Sequence, residues 1–248
     1  MLFSAELHIV TSVEIRAIEA LGFSFSGSSM AADDFTNAFF PNFNLLVAVR
    51  TIDTLLSSTT ASGISKEILL IEVPSPSVEI RYYSQDWSDK DLGLALVRTF
   101  TLENAKPVVD HEFFRLPRSY RRKGIARKVL TALFQQYVNM GAKKILIFAA
   151  LEDGGYVWAT QYFLAVDPAE VATILTRAQA ELLPAEFNLV KRIYDHYYAQ
   201  HIGGQSFPMY AWAALPFMEP ILRKSKWHGA VDLTNPKEFS NFVGNAIG

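Results

Sequence analysis

The chain has 248 residues, half of them hydrophobic and 19% charged, with a formal net charge of −2. That composition excludes wholesale disorder and excludes a protein whose main task is to coat nucleic acid, because neither chain-wide repulsion nor a basic surface is present. With no cysteine, disulfides, thiolate metal sites and cysteine nucleophiles are excluded as well.

The N-terminal "MLFSAELHIV" lacks a basic n-region and carries Glu6 early, so no signal peptide is expected. No apolar run is long enough to span a bilayer, and a soluble, cytoplasmic protein is the default expectation. "TSVEIRAIEALG" opens on a Thr or Ser cap, spaces its apolar residues at helical intervals and stops at Gly22. Residues 23–43 mix aromatic and small polar side chains without a period and read as a long loop or broken helix. "NLLVAVR" (44–50) reads as a short strand. "EILLIEVPS", "VEIRYYSQ", "LGLALVRTFTLE" and "KPVVDHEFFRLP" follow as antiparallel strands, the last ended by Pro117. A helix running to about Met140 and closed by Gly141 comes next, with Ile125, Val129, Leu133, Tyr137 and Met140 on its buried face. "AKKILIFAAL" then reads as a fully buried strand, so 106–151 has the order of one parallel crossover unit. After residue 165, three proline-opened helices, a short extended piece and a last helix are expected. The domain reading is therefore a mixed, mostly antiparallel sheet domain flanked by helices over 1–165, with a helical C-terminal extension over 166–248. The aromatic segments "YDHYYAQH" and "MYAWAALPF" read as core or as the interface of a homodimer, with a hydrophobic acceptor cleft as the sharper alternative.

The segment "SYRRKGIARKVL" (119–130) puts five basic residues around one glycine at the start of the amphipathic helix. The first-turn N–H groups and the positive end of the helix dipole form an anion site. Gly124 lets a phosphate approach the backbone, and Arg121, Arg122, Lys123 and Arg127 add charge. Neither GxxxxGK[ST] nor a three-glycine dinucleotide fingerprint is present. The alternatives for such a cluster are a solvated helix face and an RNA-binding patch, and nucleic acid is the less expected ligand because the rest of the chain is not basic.

Arg121-x-x-Gly124-x-Ala126, preceded by antiparallel strands and followed by the strand "KKILIFA", resembles the R/Q-x-x-G-x-G/A signature of the GNAT superfamily of acyl-CoA-dependent N-acyltransferases, over about residues 44–165. The resemblance implies a GNAT-like α/β fold and acetyl-CoA as co-substrate. It implies that the backbone of Arg122, Lys123, Gly124, Ile125 and Ala126 holds the pyrophosphate and that Phe114, Arg115 and Leu116 pair with the pantetheine arm. By the same resemblance, a glutamate nine residues before Arg121, here Glu112, acts as general base through water. The acceptor would be a primary amine of a small molecule or peptide.

On a strand, Asp110 and Glu112 share one face and His111 points the other way; His111 has the better intrinsic pKa for a base. The family's tyrosine position, in a Y-x-x-x-G-F-like pattern, falls here on Trp158, which cannot act as an acid; Tyr156, two residues earlier, is the substitute. A GNAT-fold binding protein without catalysis is the alternative reading. Asp195, His196 and His201 are spaced wrongly for a helical metal pair, and no metal is expected. An acceptor cleft walled by residues 23–43 is the remaining expectation, with Asp33 and Asp34 holding an ammonium and Phe35, Phe39 and Phe40 covering an apolar body.

Overall fold

A computed structural model describes residues 8–151, 153–201 and 206–247. The fold is mixed α/β: among the described residues there are eight strands, paired mostly antiparallel, and ten α-helices, six of which lie after Lys144. The chain divides into two units, one formed by residues up to Lys144 together with Ile247, the other by Ile145–Ala246.

The first unit begins with α1 (Ser12–Ala20), whose start is a reciprocal capping box. The Thr11 hydroxyl accepts from the Glu14 N–H, and the Glu14 carboxylate accepts from the Thr11 N–H at 2.8 Å. Gly22 lies at φ 87° just past its end. Residues 23–43, expected as a long loop or broken helix, instead form a strand, β1 (Ser24–Ser26), and a helix, α2 (Ala32–Phe39). The segment expected as a strand at 44–50 is instead the start of α3 (Leu45–Leu56), capped by Asn44, whose Oδ1 accepts from the Val47 N–H at 2.9 Å. The reason is periodicity over twelve residues: Leu45, Ala48, Val49, Ile52 and Leu56 are all buried along one helical stripe.

Four strands complete this unit: β2 (Ile64–Ile71), β3 (Ser77–Ser84), β4 (Ala95–Glu103) and β5 (Lys106–Arg115). Their order is β1-β2-β3-β4-β5, parallel at β1/β2 and antiparallel from β2 to β5. One sheet face carries Tyr82, Leu96, Arg98, Phe100, Val109 and His111 and is buried. The contacts of these side chains identify this as the helix-bearing face: the Tyr82 hydroxyl donates to Asp53 of α3 at 2.9 Å, and Phe100 lies 5.9 Å from the Tyr137 ring of α4 (Ile125–Asn139). Tyr82 is pushed well above the usual tyrosine pKa by burial first and by Asp53 second. Of the stripe expected on α4, Val129, Leu133, Tyr137 and Met140 are buried, while Ile125 is half-buried.

The second unit opens at Ile145 within β6 (Lys144–Phe148), which is buried alternately rather than throughout. Ile145 and Ile147 are inside, whereas Phe148 is 43% exposed and stacks on His228 at 4.3 Å. Then come α5 (Gly154–Thr160), β7 (Leu164–Ala165), α6 (Pro168–Glu181) and α7 (Pro184–Gln200). The third expected helix is broken into α8 (Met209–Ala213), a 3-10 turn at Pro216–Met218 and α9 (Glu219–Arg223), because Pro216 and Pro220 interrupt it. β8 (His228–Asp232) and α10 (Pro236–Phe242) follow. The core of this unit is aromatic, with Phe163, Phe207, Trp212 and Trp227 fully buried.

Candidate functional site

Two features of one continuous segment, 106–128, form the candidate site. The first is an irregularity in β5. Val97 of β4 pairs with Phe113, but Thr99 pairs with Asp110, so β5 holds one residue more than its partner, opposite Arg98. The alternation expected over Asp110, His111 and Glu112 holds, and the extra residue then turns Glu112 and Phe113 to one side. His111 points inward, as expected, and is buried with its Nε2 at 3.0 Å from the Tyr137 hydroxyl. Glu112 is exposed on the other face, where it accepts a hydrogen bond from the Thr99 hydroxyl at 2.5 Å. Phe113 lies on that same face, its ring 6.4 Å from Trp87.

Arg98 sits behind the bulge and is 1% exposed. Its Nη1 donates to the Val97 carbonyl at 2.8 Å and to the Phe113 carbonyl at 3.1 Å, and its guanidinium lies 5.5 Å from the Phe114 ring centroid. Burial lowers its pKa, while Tyr137, Asp110 and Glu112 act to raise it. Burial, with the Arg98 charge second, holds His111 well below the ordinary histidine range. The same burial pushes Tyr137 up to about 12, opposed by Arg98. His111 is thus a neutral core side chain at neutral pH, and the accessible base on β5 is Glu112.

The second feature is the entry to α4. After β5, Arg118–Tyr120 form a 3-10 turn, and the chain then passes through Arg122 at φ 62° and Gly124 at φ 75° into the helix. A left-handed backbone favours glycine, and nothing lies within 4 Å of where a Cβ on Gly124 would stand. No side chain caps the helix, so its first-turn N–H groups are available to an anion. Arg122, Lys123, Arg127 and Lys128 are exposed and form no ion pair among the described residues, although Lys123 lies over the Tyr120 ring at 5.0 Å. Ile125 is half-buried and Ala126 exposed.

Other members of the set serve the preceding turn. Arg121 donates through Nε to the Leu116 carbonyl at 2.9 Å and through Nη2 to the Lys90 carbonyl. Arg115 donates to the carbonyls of Trp87 and Ser88 at 3.1 and 3.2 Å, and the Arg118 N–H donates to Asp91 O at 2.7 Å. These contacts clamp residues 87–91 to the stretch that leads into α4. Phe114 and Arg115 pair with Leu96 and Ala95, and Leu116 is buried beyond the strand. Arg121 therefore fixes the loop, and the cations left for a ligand are its neighbours.

Tyr156 belongs to the second unit, where Arg223 covers its ring at 5.1 Å; Arg223 is itself paired with Asp153 and Glu219. Trp158 packs edge-to-face on Phe163 at 5.1 Å. In the region expected to wall an acceptor cleft, Phe35 and Phe40 are core residues, while Asp33 and Asp34 lie in the first turn of α2. No group of three or more metal-ligating side chains occurs among the described residues, and no described helix is long and apolar enough to cross a membrane.

Sequence reasoning missed Arg98, Tyr137 as a polar partner, and the Trp87–Phe113 contact. A lone arginine within "LALVRTF" and a tryptophan within the polar turn "SQDWSDKD" were the available signals. No protein-family model matches the chain, and no curated protein matches it as a relative.

Proposed function

We propose that this protein is an acyl-CoA-dependent N-acyltransferase that moves an acetyl group from acetyl-CoA to a primary amine. The supporting observation is one segment that carries both halves of such a site. It has an exposed carboxylate on a bulged strand, Glu112, and an uncapped helix start at Gly124 among unpaired cations. The first-turn N–H groups of α4 with Arg122, Lys123 and Arg127 would receive the pyrophosphate. Glu112 would take the proton from the ammonium, through a water. The free amine then attacks the thioester carbon, the C–S bond breaks, and the proton shed by the acylated nitrogen passes through water to the departing thiolate. GNAT-like architecture is part of this proposal and rests on the signature at 121–126.

A second reading, a binding protein of the same fold without turnover, is favoured by one observation. Tyr156 is held beneath Arg223, and Trp158, the residue at the expected acid position, is packed on Phe163.

Release of free thiol from acetyl-CoA over a panel of primary amines separates the two. The first reading expects turnover that falls at least a hundredfold in Glu112→Gln, the scale of general-base loss. Acetyl-CoA binding with no turnover on any amine supports the second. Turnover unaffected by Glu112→Gln contradicts the assignment of the base.

A further inference from the structure

The bulge in β5 does more than expose Glu112. In a regular strand Glu112 and Phe113 would face opposite sides. Here both stand on the face that carries Thr99 and Val97, as the Thr99–Glu112 hydrogen bond and the Trp87–Phe113 contact establish. Arg98 holds this arrangement from behind through the Val97 and Phe113 carbonyls.

Three aromatic rings meet there. Trp87 lies 5.6 Å from Tyr83, tilted at 50°, and 6.4 Å from Phe113, edge to face at 85°. They form a platform and not a closed cage, with Trp87 in the middle and 45% exposed. The charges around it are uneven. Arg81 is spent on Glu79 at 2.5 Å and Glu67 at 3.2 Å, and Arg115 covers one face of Phe113 while donating to the Trp87 and Ser88 carbonyls. Glu112 forms no ion pair among the described residues. Tyr83 feels charges of both signs: burial raises its pKa first, Arg81 lowers it, and Glu79, Glu112 and Glu67 raise it. A partly exposed indole in contact with Phe113, and a carboxylate outside any ion pair among the described residues on the adjoining residue of the same sheet face, are together complementary to an organic cation, which gains from the ring quadrupole within about 6 Å of the centroid and from the negative charge.

Resting on the N-acyltransferase reading, we propose that the Tyr83–Trp87–Phe113 platform beside Glu112 is the acceptor site, and that it takes an alkylammonium ion with a short apolar body. This assigns the acceptor to the β3–β5 face instead of the 23–43 wall, whose Phe35 and Phe40 are core residues. It also gives Glu112 two successive roles, counter-ion to the bound ammonium and acceptor of its proton.

Ligand-observed NMR titrations of the full chain with n-butylammonium, tetramethylammonium and the neutral n-pentanol test this. Both cations are expected to bind saturably and n-pentanol at least tenfold more weakly. Trp87→Ala and Glu112→Gln should each weaken n-butylammonium at least tenfold, and Trp87→Phe should retain part of the affinity. Equal binding of n-pentanol, or unchanged cation binding in Trp87→Ala, overturns the proposal. Amine binding without acetyl-CoA binding overturns the acyltransferase reading and leaves the cation site standing. Acetyl-CoA binding without amine binding overturns the cation site alone.

Discussion

The two units bury different chemistry. The first encloses an arginine, a histidine and a tyrosine in mutual contact, Arg98, His111 and Tyr137, beneath a bulged strand. The second is built on aromatic packing, and the indole N–H groups of its two buried tryptophans reach only backbone: Trp212 donates to Val190 O and Trp227 to Gly155 O, both at 3.2 Å. Indoles satisfied by backbone carbonyls cost little to bury. A buried guanidinium costs a great deal, and replacement of such groups by apolar side chains is often neutral or stabilising in other proteins. The difference is in what each core touches: the buried Arg98 holds the backbone of β4 and β5 at the bulge, whereas the buried tryptophans of the second unit reach only carbonyls of their own unit.

The largest expected effect breaks the aromatic side of this comparison. Trp212→Ala should destabilise the protein by about 3–5 kcal/mol, the range for deleting a buried aromatic side chain. Chemical denaturation followed by far-UV circular dichroism measures it, and a loss under 1 kcal/mol would remove the contrast. Next is Arg98→Met, which keeps the packing but leaves the Val97 and Phe113 carbonyls without their donor. A cost of about 1–3 kcal/mol is expected, together with changed amide chemical shifts at Glu112 and Phe113. A spectrum unchanged at those two residues would show that Arg98 does not hold the bulge.

The smallest expected effect concerns pH. His111 is held below its unfolded pKa of about 6.5, so below that pH the unfolded chain binds a proton that the folded chain refuses. Stability should therefore fall as pH drops from 6.5 towards 5, by up to about 1.4 kcal/mol per pH unit. His111→Gln should flatten the slope, and the urea midpoint measured at half-unit intervals reports it. An identical slope in the variant would show that His111 does not carry it.

The sequence made some elements legible and hid others for physical reasons. Thr11 and Glu14 mark the start of α1 by spacing alone, and β2 to β5 announce themselves by alternation and bounding turns. "LLVAV" hid α3, because five branched or apolar residues in a row fit a strand and the helical period emerges only by Leu56. Gly124 was legible as a place where the backbone stands open at the start of a helix; that it takes φ 75° there was not. That Glu112 and Phe113 share a face was not legible, since a bulge is set by the register between β4 and β5 and by Arg98 behind it. No local pattern records a non-local pairing. Arg121 illustrates a further limit: its charge was visible, but its commitment to two backbone carbonyls depends on where the 87–91 turn lies.

The central claim is that the start of α4 binds the pyrophosphate of an acyl-CoA, and calorimetric titration of acetyl-CoA into the protein and into Gly124→Val tests it most directly. The site is open around Gly124, so the substitution adds backbone strain of about 1–2 kcal/mol without a clash, and the variant should remain folded. The account predicts sub-millimolar binding by the unaltered protein and loss of at least tenfold in the variant, because the added side chain stands where the phosphate must approach. Absence of acetyl-CoA binding by the unaltered protein, or equal affinity in a folded Gly124→Val, would contradict it.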